Sequence, residues 1–222
     1  MCGKFTAMAS WSQVVAFSQP LISNHSATVD DDREISFRVM NNLPVIIWNC
    51  QTGKRQVVPM RWGFPHRDDP RRPDPIHVRA ETIDVKPTFR DAFLEGQRGI
   101  VMVKTFNEGL ELANGKTEQH VIDPDGAAGI AVLWRRFGSL SLPACVMATV
   151  PANNLIGAIT DRMPAILAPE DWAIWLGEDA APHDRIKACL KTTEGVRWTM
   201  TPEQRAARPR RKPTMSDPGG LF

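Results

Sequence analysis

GIVMVKTFNEGLELANGKTEQHVIDPDGAAGIAVLWRRFGSLSLPACVMATV (99–150) contains four apolar runs: GIVMVKTF (99–106), EQHVID (118–123), GIAVLWRRF (129–137) and PACVMATV (143–150). Each is rich in valine, isoleucine or aromatic residues, which fit a pleated, half-buried surface. Upstream, ISFRV (35–39) and LPVIIWNC (43–50) read the same way. QTGK (51–54) is a turn leading into RQVVPMRW (55–62), so 45–62 reads as a hairpin. VRWTM (196–200) reads as a last strand.

Helical patterns are short and do not alternate regularly with the strands. Ser10–Phe17 carries a capping box from Ser10 to Gln13, with Trp11, Val14 and Val15 on one face. TFRDAFLEG (88–96) predicts a helix with Thr88 as N-cap, Phe89, Ala92 and Phe93 inward, and Gly96 at its end. In APEDWAIWLG (168–177), Trp172, Trp175 and Leu176 share a core face and Gly177 stops the helix. DRIKACLK (184–191) is another helix, and PANNLIGAI (151–159) reads as a short helix or turn. About eight strands without βαβ alternation predict an α+β fold. The expectation is a single domain: a mostly antiparallel, twisted, barrel-like sheet with short flanking helices over residues 1–202. Residues 203–222, beginning EQRAARPRRKPTMSDPGG, are basic and rich in proline and glycine, and read as a disordered tail.

The chain has 222 residues, 42% hydrophobic and 23% charged, enough for a substantial core. The net charge of +2 neither demands nor excludes nucleic acid, because clustering decides. The loop PHRDDPRRPDP (65–75), with four prolines and six charges, reads as exposed and solvated. Cysteines stand at 2, 50, 145 and 189 with no CxxC spacing, which argues against a disulfide framework or a zinc site. Cys50 and Cys145 fall in apolar runs and are expected to be buried and reduced, as in the cytoplasm. No apolar run has the length of a membrane helix, and the start does not have the pattern of a signal peptide. Neither a metal nor an organic cofactor is suggested.

Three segments are hard to explain as core or loop. MCGKF (1–5) places a cysteine where removal of Met1 exposes a thiol and an α-amine on one residue. HVRAET (77–82) gathers His77, Arg79 and Glu81 after the proline-rich loop. ITDRMPAIL (159–167) sets Asp161 and Arg162 at the mouth of an apolar strand. Glu108 is a lone acid just after the strand 99–106.

With RWGF (61–64), FRDAF (89–93) and RGIVMV…FNEG (98–109), these segments resemble the SOS-response-associated peptidase (SRAP) family, also called abasic-site processing proteins. The family forms are MCGRF, WGLIP, NARAET, ADGFYEW and HDRMP, in the same order and spacing, and the resemblance covers residues 1 to about 200. It implies that the chain binds single-stranded DNA and its junctions at abasic sites; a monomer is expected, in the cytoplasm and on nucleoid DNA after damage. It further implies that the Cys2 amine forms a Schiff base with the ring-opened sugar aldehyde and the thiol closes a thiazolidine. An internal cysteine has no such amine. Glu108 takes the place of the family's glutamate, which positions the amine and moves protons. Arg79 and Arg162 match arginines on DNA phosphates, although Arg162 has an alternative as a structural partner of Asp161. Lys4 replaces the usual arginine and loses its fork. Lys86 is a further backbone contact by charge and proximity.

The chain also departs from the family pattern. Thr160 stands where HDRMP has histidine, the implied acid–base group, and threonine does not titrate near neutrality. His77 stands where NAR has asparagine. His77 either takes over part of the lost proton transfer, which an ordinary pKa near about 6.5 permits, or only hydrogen-bonds as asparagine did. The second tryptophan of WGLIPxW, which would stack on a base, is absent from WGFPHRD. Two other functions compete with crosslinking. One is an N-terminal-cysteine autopeptidase or hydrolase with the amine as base. The other is a degenerate paralogue that only binds DNA.

Overall fold

Arg98–Glu111 is one unbroken strand of 14 residues, far longer than the run that predicted it. A computed structural model of the chain describes residues 3–7, 21–22, 36–66 and 71–203. The expected helix at 10–17, Cys2, part of the proline-rich loop and residues 204–222 lie outside the described residues. In chain order the strands are β1 (Lys4–Ala7), β2 (Leu21–Ile22), β3 (Ser36–Arg38), β4 (Asn42–Asn49), β5 (Lys54–Trp62), β6 (His77–Arg79), β7 (Arg98–Glu111), β8 (Thr117–Asp123), β9 (Ala128–Arg135), β10 (Ala144–Pro151), β11 (Arg162–Pro164), β12 (Ile166–Leu167) and β13 (Thr199–Pro202). The helices are α1 (Pro87–Leu94), α2 (Trp172–Leu176) and α3 (His183–Lys187).

The pairings close on themselves. β7 pairs with β4, β4 with β5, β5 with β10, β10 with β9, and β9 again with β7. These strands form the barrel-like core that the sequence predicts, and most of their ladders are antiparallel. The parallel ladders are those of β10 with β5 and β6, and of β2 with β5. Only the first part of β7, Arg98–Val103, is in the barrel wall, facing β9 along its length. Beyond it, β7 carries β1 on one edge and β8 on the other.

The barrel is filled by residues with no exposure, among them Val45, Met60, Ile100, Ala131 and Met147. Trp172 and Trp175 are buried against it, as their spacing predicts. α1 starts earlier than expected: Lys86 occupies the N-cap and Pro87 the first turn, where proline lacks only a hydrogen bond the helix would not make. Thr88 is therefore inside the helix and not its cap. The last strand begins at Thr199 and not at Val196. Gly195 turns there at φ +63°, and Trp198 packs edge-on against Phe106 at 5.9 Å. Cys50 is exposed, because β4 ends at Asn49 and Cys50 opens the hairpin turn. Cys145 and Cys189 are buried, and burial pushes both thiols up, away from the reactive thiolate.

Arg98 is buried, with no carboxylate partner among the described residues. Its Nε donates to Trp175 O at 2.6 Å and a terminal nitrogen to Phe93 O at 2.9 Å, so one guanidinium caps the last turns of α2 and α1. The guanidinium also lies over the Phe93 and Trp175 rings. Desolvation lowers its pKa from the ordinary arginine value. Arg98→Met keeps the stem but leaves two helix-end carbonyls without this donor. A loss of about 2–4 kcal/mol is expected, read as a lower urea midpoint at unchanged slope. Gly99 is equally constrained, since an added Cβ would stand 2.6 Å from Val45 Cγ1 and 2.9 Å from Ile46 O. Gly99→Ala is expected to lower the midpoint by prising β4 from β7.

Candidate active site at the N-terminal strand

β1 is built to hold the start of the chain against β7. Lys4 faces Asn107, Phe5 faces Phe106 and Thr6 faces Thr105. Phe5 anchors the strand: it is fully buried, stacked on Phe37 and tilted against Trp62, each at 5.5 Å. Gly3 comes next toward the N-terminus, and Cys2 is one peptide beyond it. The next residue of β7 after Asn107 is Glu108, only 1% exposed and facing His120 of β8.

Lys4 reaches across to the other end of the chain. Its ammonium pairs with Glu203, just after β13. β13 lies on β8 with Pro202 opposite His120, and the Glu203 N–H donates to Gln119 O at 2.7 Å. Both ends of the described chain thus meet at the β7–β8 ladder, with Lys4 on the face of Asn107 and Pro202 on the face of His120 and Glu108.

A second group of candidates hangs on β10. β6 lies parallel to it, with His77 opposite Met147 and Arg79 opposite Thr149, while on its antiparallel neighbour β11 Arg162 faces Pro151. This brings HVRAET and DRMP together from 81 residues apart. Arg162 is buried and its partner is Glu81, not Asp161. Two terminal nitrogens donate to the two Glu81 oxygens at 2.5 and 2.9 Å, and one of them also donates to Thr149 O at 2.6 Å. The hydrogen bond from Arg162, aided by the charges of Arg162 and Arg79, holds the Glu81 carboxyl below its ordinary value of 4.5. Lys187 donates to the backbone of Glu81 and to Asp84, fixing the turn that follows β6.

Trp62 joins the two groups. Its ring touches Phe5 on one side and meets His77 edge-on at 6.3 Å on the other, and its N–H donates to Ile76 O at 3.2 Å. His77 is half-buried, Thr160 is half-buried two residues before Arg162, and Arg79 and Lys86 are exposed. Three contacts escaped the sequence reading: Glu81 as the partner of Arg162, Thr149 beneath it, and Glu203 on Lys4. None has a spacing signal, because each joins strands adjacent only in the finished sheet. Among the described residues there is no cluster of acids, histidines and cysteines that could hold a metal, and no helix long and apolar enough to cross a membrane.

A barrel with a strand carrying the chain start to a buried glutamate, beside an arginine–glutamate fork, defines a recognisable class. Its architecture is that of a crystal structure from Bordetella bronchiseptica, with TM-score 0.73 and 18% identity, covering 91% of this chain and 100% of that one. A phage-related protein from the same organism gives 0.72 at 18% identity, covering 92% and 95%. The chain belongs to the SOS response associated peptidase (SRAP) family, whose pattern it matches over residues 1–206. Among curated relatives, abasic site processing protein YoaM of Bacillus subtilis is 27% identical over 201 residues, covering 86% of this chain and 85% of its own length. Abasic site processing protein YobE of the same species is 24% identical over 199 residues, covering 86% and 88%.

The Glu81–Arg162 fork sets a pH dependence. A carboxyl held below its ordinary value contributes stability that is complete above that value and lost as pH falls through the folded one. In urea titrations from pH 7 to 3, the stability gap between wild type and Glu81→Gln is expected to be constant above about pH 5 and to close below it.

Proposed function

We propose that the chain processes abasic sites in DNA, joining itself to them through Cys2 once Met1 is removed. The observation that carries this reading is the register of β1 on β7, which runs the start of the chain toward the buried Glu108. Family membership and the abasic-site relatives support it.

An α-amine with pKa near about 7.7–8 is mostly protonated at pH 7. Glu108 takes the proton from the Cys2 ammonium, and the free amine attacks the C1′ aldehyde of the ring-opened sugar. The carbinolamine expels water to give an imine. The Cys2 sulfur then adds to the imine carbon, its proton passes to the nitrogen, and a five-membered thiazolidine closes. The sum is aldehyde plus cysteine giving thiazolidine and one water, with no oxidant or reductant. His77, on the far side of Trp62, assists the proton transfers where Thr160 has no titratable group. Arg79 and Lys86 offer exposed charge to the phosphates of a single strand. Lys4 and Arg162 are engaged by Glu203 and Glu81, and reach phosphate only by exchanging those partners.

Protein with Met1 removed, verified by intact mass, is incubated with a single-stranded oligonucleotide carrying one abasic site. A heat-stable protein–DNA band is expected, absent from Cys2→Ala and formed about 100-fold more slowly by Glu108→Gln. No band from the verified wild type overturns the reading. His77→Asn is expected to remove the limb of the pH–rate profile near about pH 6.5; an unchanged profile leaves His77 with hydrogen bonding alone.

A further inference from the structure

His120 stands where the pattern of its strand asks for an apolar residue. Side chains alternate along β8, so Glu118, His120 and Ile122 share one face. His120 and Ile122 are buried, and Glu118 toward the outer end of the strand is exposed. On one edge β13 sets Pro202 opposite His120 and Met200 opposite Ile122. On the other edge β7 sets Glu108 opposite His120 and Phe106 opposite Ile122. The imidazole therefore has an uncharged strand on one side and the buried acid of the candidate site on the other.

The surroundings of Glu108 single out His120. β8 supplies His120 and, one pleat outward, Glu118. β13 brings only Met200 and Pro202 to this face. Lys4 and Arg38 face Asn107 and each other across β1, on the opposite face, where Lys4 meets Glu203. Lys104, four residues back along β7, is exposed, and His77 lies on the far side of Trp62. His120 Nε2 is 3.3 Å from Glu118 Oε1. His120 Nδ1 is buried and has no hydrogen-bond partner among the described residues. A buried nitrogen left in that state is costly. Residues directly opposite on antiparallel strands have Cβ atoms about 4.5–5.5 Å apart, which puts a carboxylate within reach of an imidazole. Burial drives a carboxylate toward its neutral form, and a neutral acid takes no proton from an ammonium. A positive or hydrogen-bonding group within about 4–6 Å opposes this by about 1–3 pH units.

We propose that His120 is the positioning residue of Glu108: paired through Nε2 with Glu118, the imidazole turns its Nδ1–H to the Glu108 carboxylate and keeps it ionised and aimed at the Cys2 ammonium. Glu118 steadies the ring from the solvent side, so the three side chains form a line from water to the buried base. This rests on the reading that Glu108 is the base of the crosslinking reaction.

The test reads the Glu108 carboxyl directly. Glutamate labelled with carbon-13 at the side-chain carboxyl is incorporated into the full chain, and the Glu108 signal is identified by its loss in Glu108→Gln. Its titration is followed by NMR from about pH 4 to 9, beside His120→Phe, His120→Gln and Glu118→Gln. The Glu108 midpoint is expected to rise by at least about 1 pH unit in His120→Phe and by at least about 0.5 in His120→Gln. A smaller rise in either variant that folds overturns the proposal. Glu118→Gln, at an exposed position, keeps the fold in any case and is expected to raise the midpoint by less than His120→Phe; an unmoved midpoint there overturns the part given to Glu118. A merely structural histidine would lower the thermal midpoint and leave this titration where it was. Crosslinking rates of the same proteins on an abasic oligonucleotide are then measured against pH. Their acid limb is expected to move up with the carboxyl midpoint, about 10-fold slower on that limb for each unit. A moved midpoint with an unmoved limb overturns the role in the reaction. Absence of a Cys2-dependent band from wild type removes the crosslinking reading, and the carboxyl titration still decides whether His120 holds Glu108.

Discussion

Everything near the site depends on β7 serving two structures with one backbone. Its first half is locked on both edges, by β9 and by β4, and Gly99 allows the close approach that closure needs. Its second half emerges from the barrel with the same rigidity but new neighbours, β1 and β8. Between the two, the β1 register shifts after Thr6, a local irregularity where the strand meets the barrel wall. A side chain such as Glu108 gains its position from a ladder that cannot slide, since slippage by one residue would exchange every inward and outward side chain. Burial of its carboxylate is tolerable only where polar or charged groups accompany it.

β10 plays the complementary part. It receives β6 on one side and β11 on the other, so His77, Arg79 and Arg162 are fixed by backbone hydrogen bonds before their side chains do anything. The bidentate fork between Arg162 and Glu81 then ties the two flanking strands together across it. Arginine suits this position because its planar fork matches both carboxylate oxygens at once. Trp62 fills the space between this group and β1, which makes the packing of one aromatic ring the link between the two halves of the site.

Much of the sheet was legible because its strands are apolar runs long enough to identify singly: 99–106, 118–123, 129–137 and 143–150 all became strands. What the sequence concealed was which strands touch. The closure through β7 and β9, and the parallel docking of β6 on β10, are non-local and leave no periodicity. For the same reason the structural alternative for Arg162 was its neighbour in sequence, Asp161, when its partner is Glu81, beyond β6. End effects were misjudged where a local rule competes with packing. Threonine is a good N-cap, yet Pro87 starts α1 one residue before Thr88. Cys50 continues an apolar run, yet the hairpin turns at that point and leaves it outside.

The way His77, Arg79 and Arg162 are mounted has a bearing on how such a protein changes over generations. Main-chain ladders hold their Cα atoms, and those ladders are indifferent to which side chain each residue carries. A substitution at 77 alters the side chain presented without moving the place at which it is presented. The sheet behaves as a pegboard: its holes stay put while the pegs are exchanged. Reactivity can then drift by single substitutions along β6 and the turn before β11, each tested at little expense to folding. Arg162 and Glu81 are the exception, because each is the other's partner and neither can be exchanged alone.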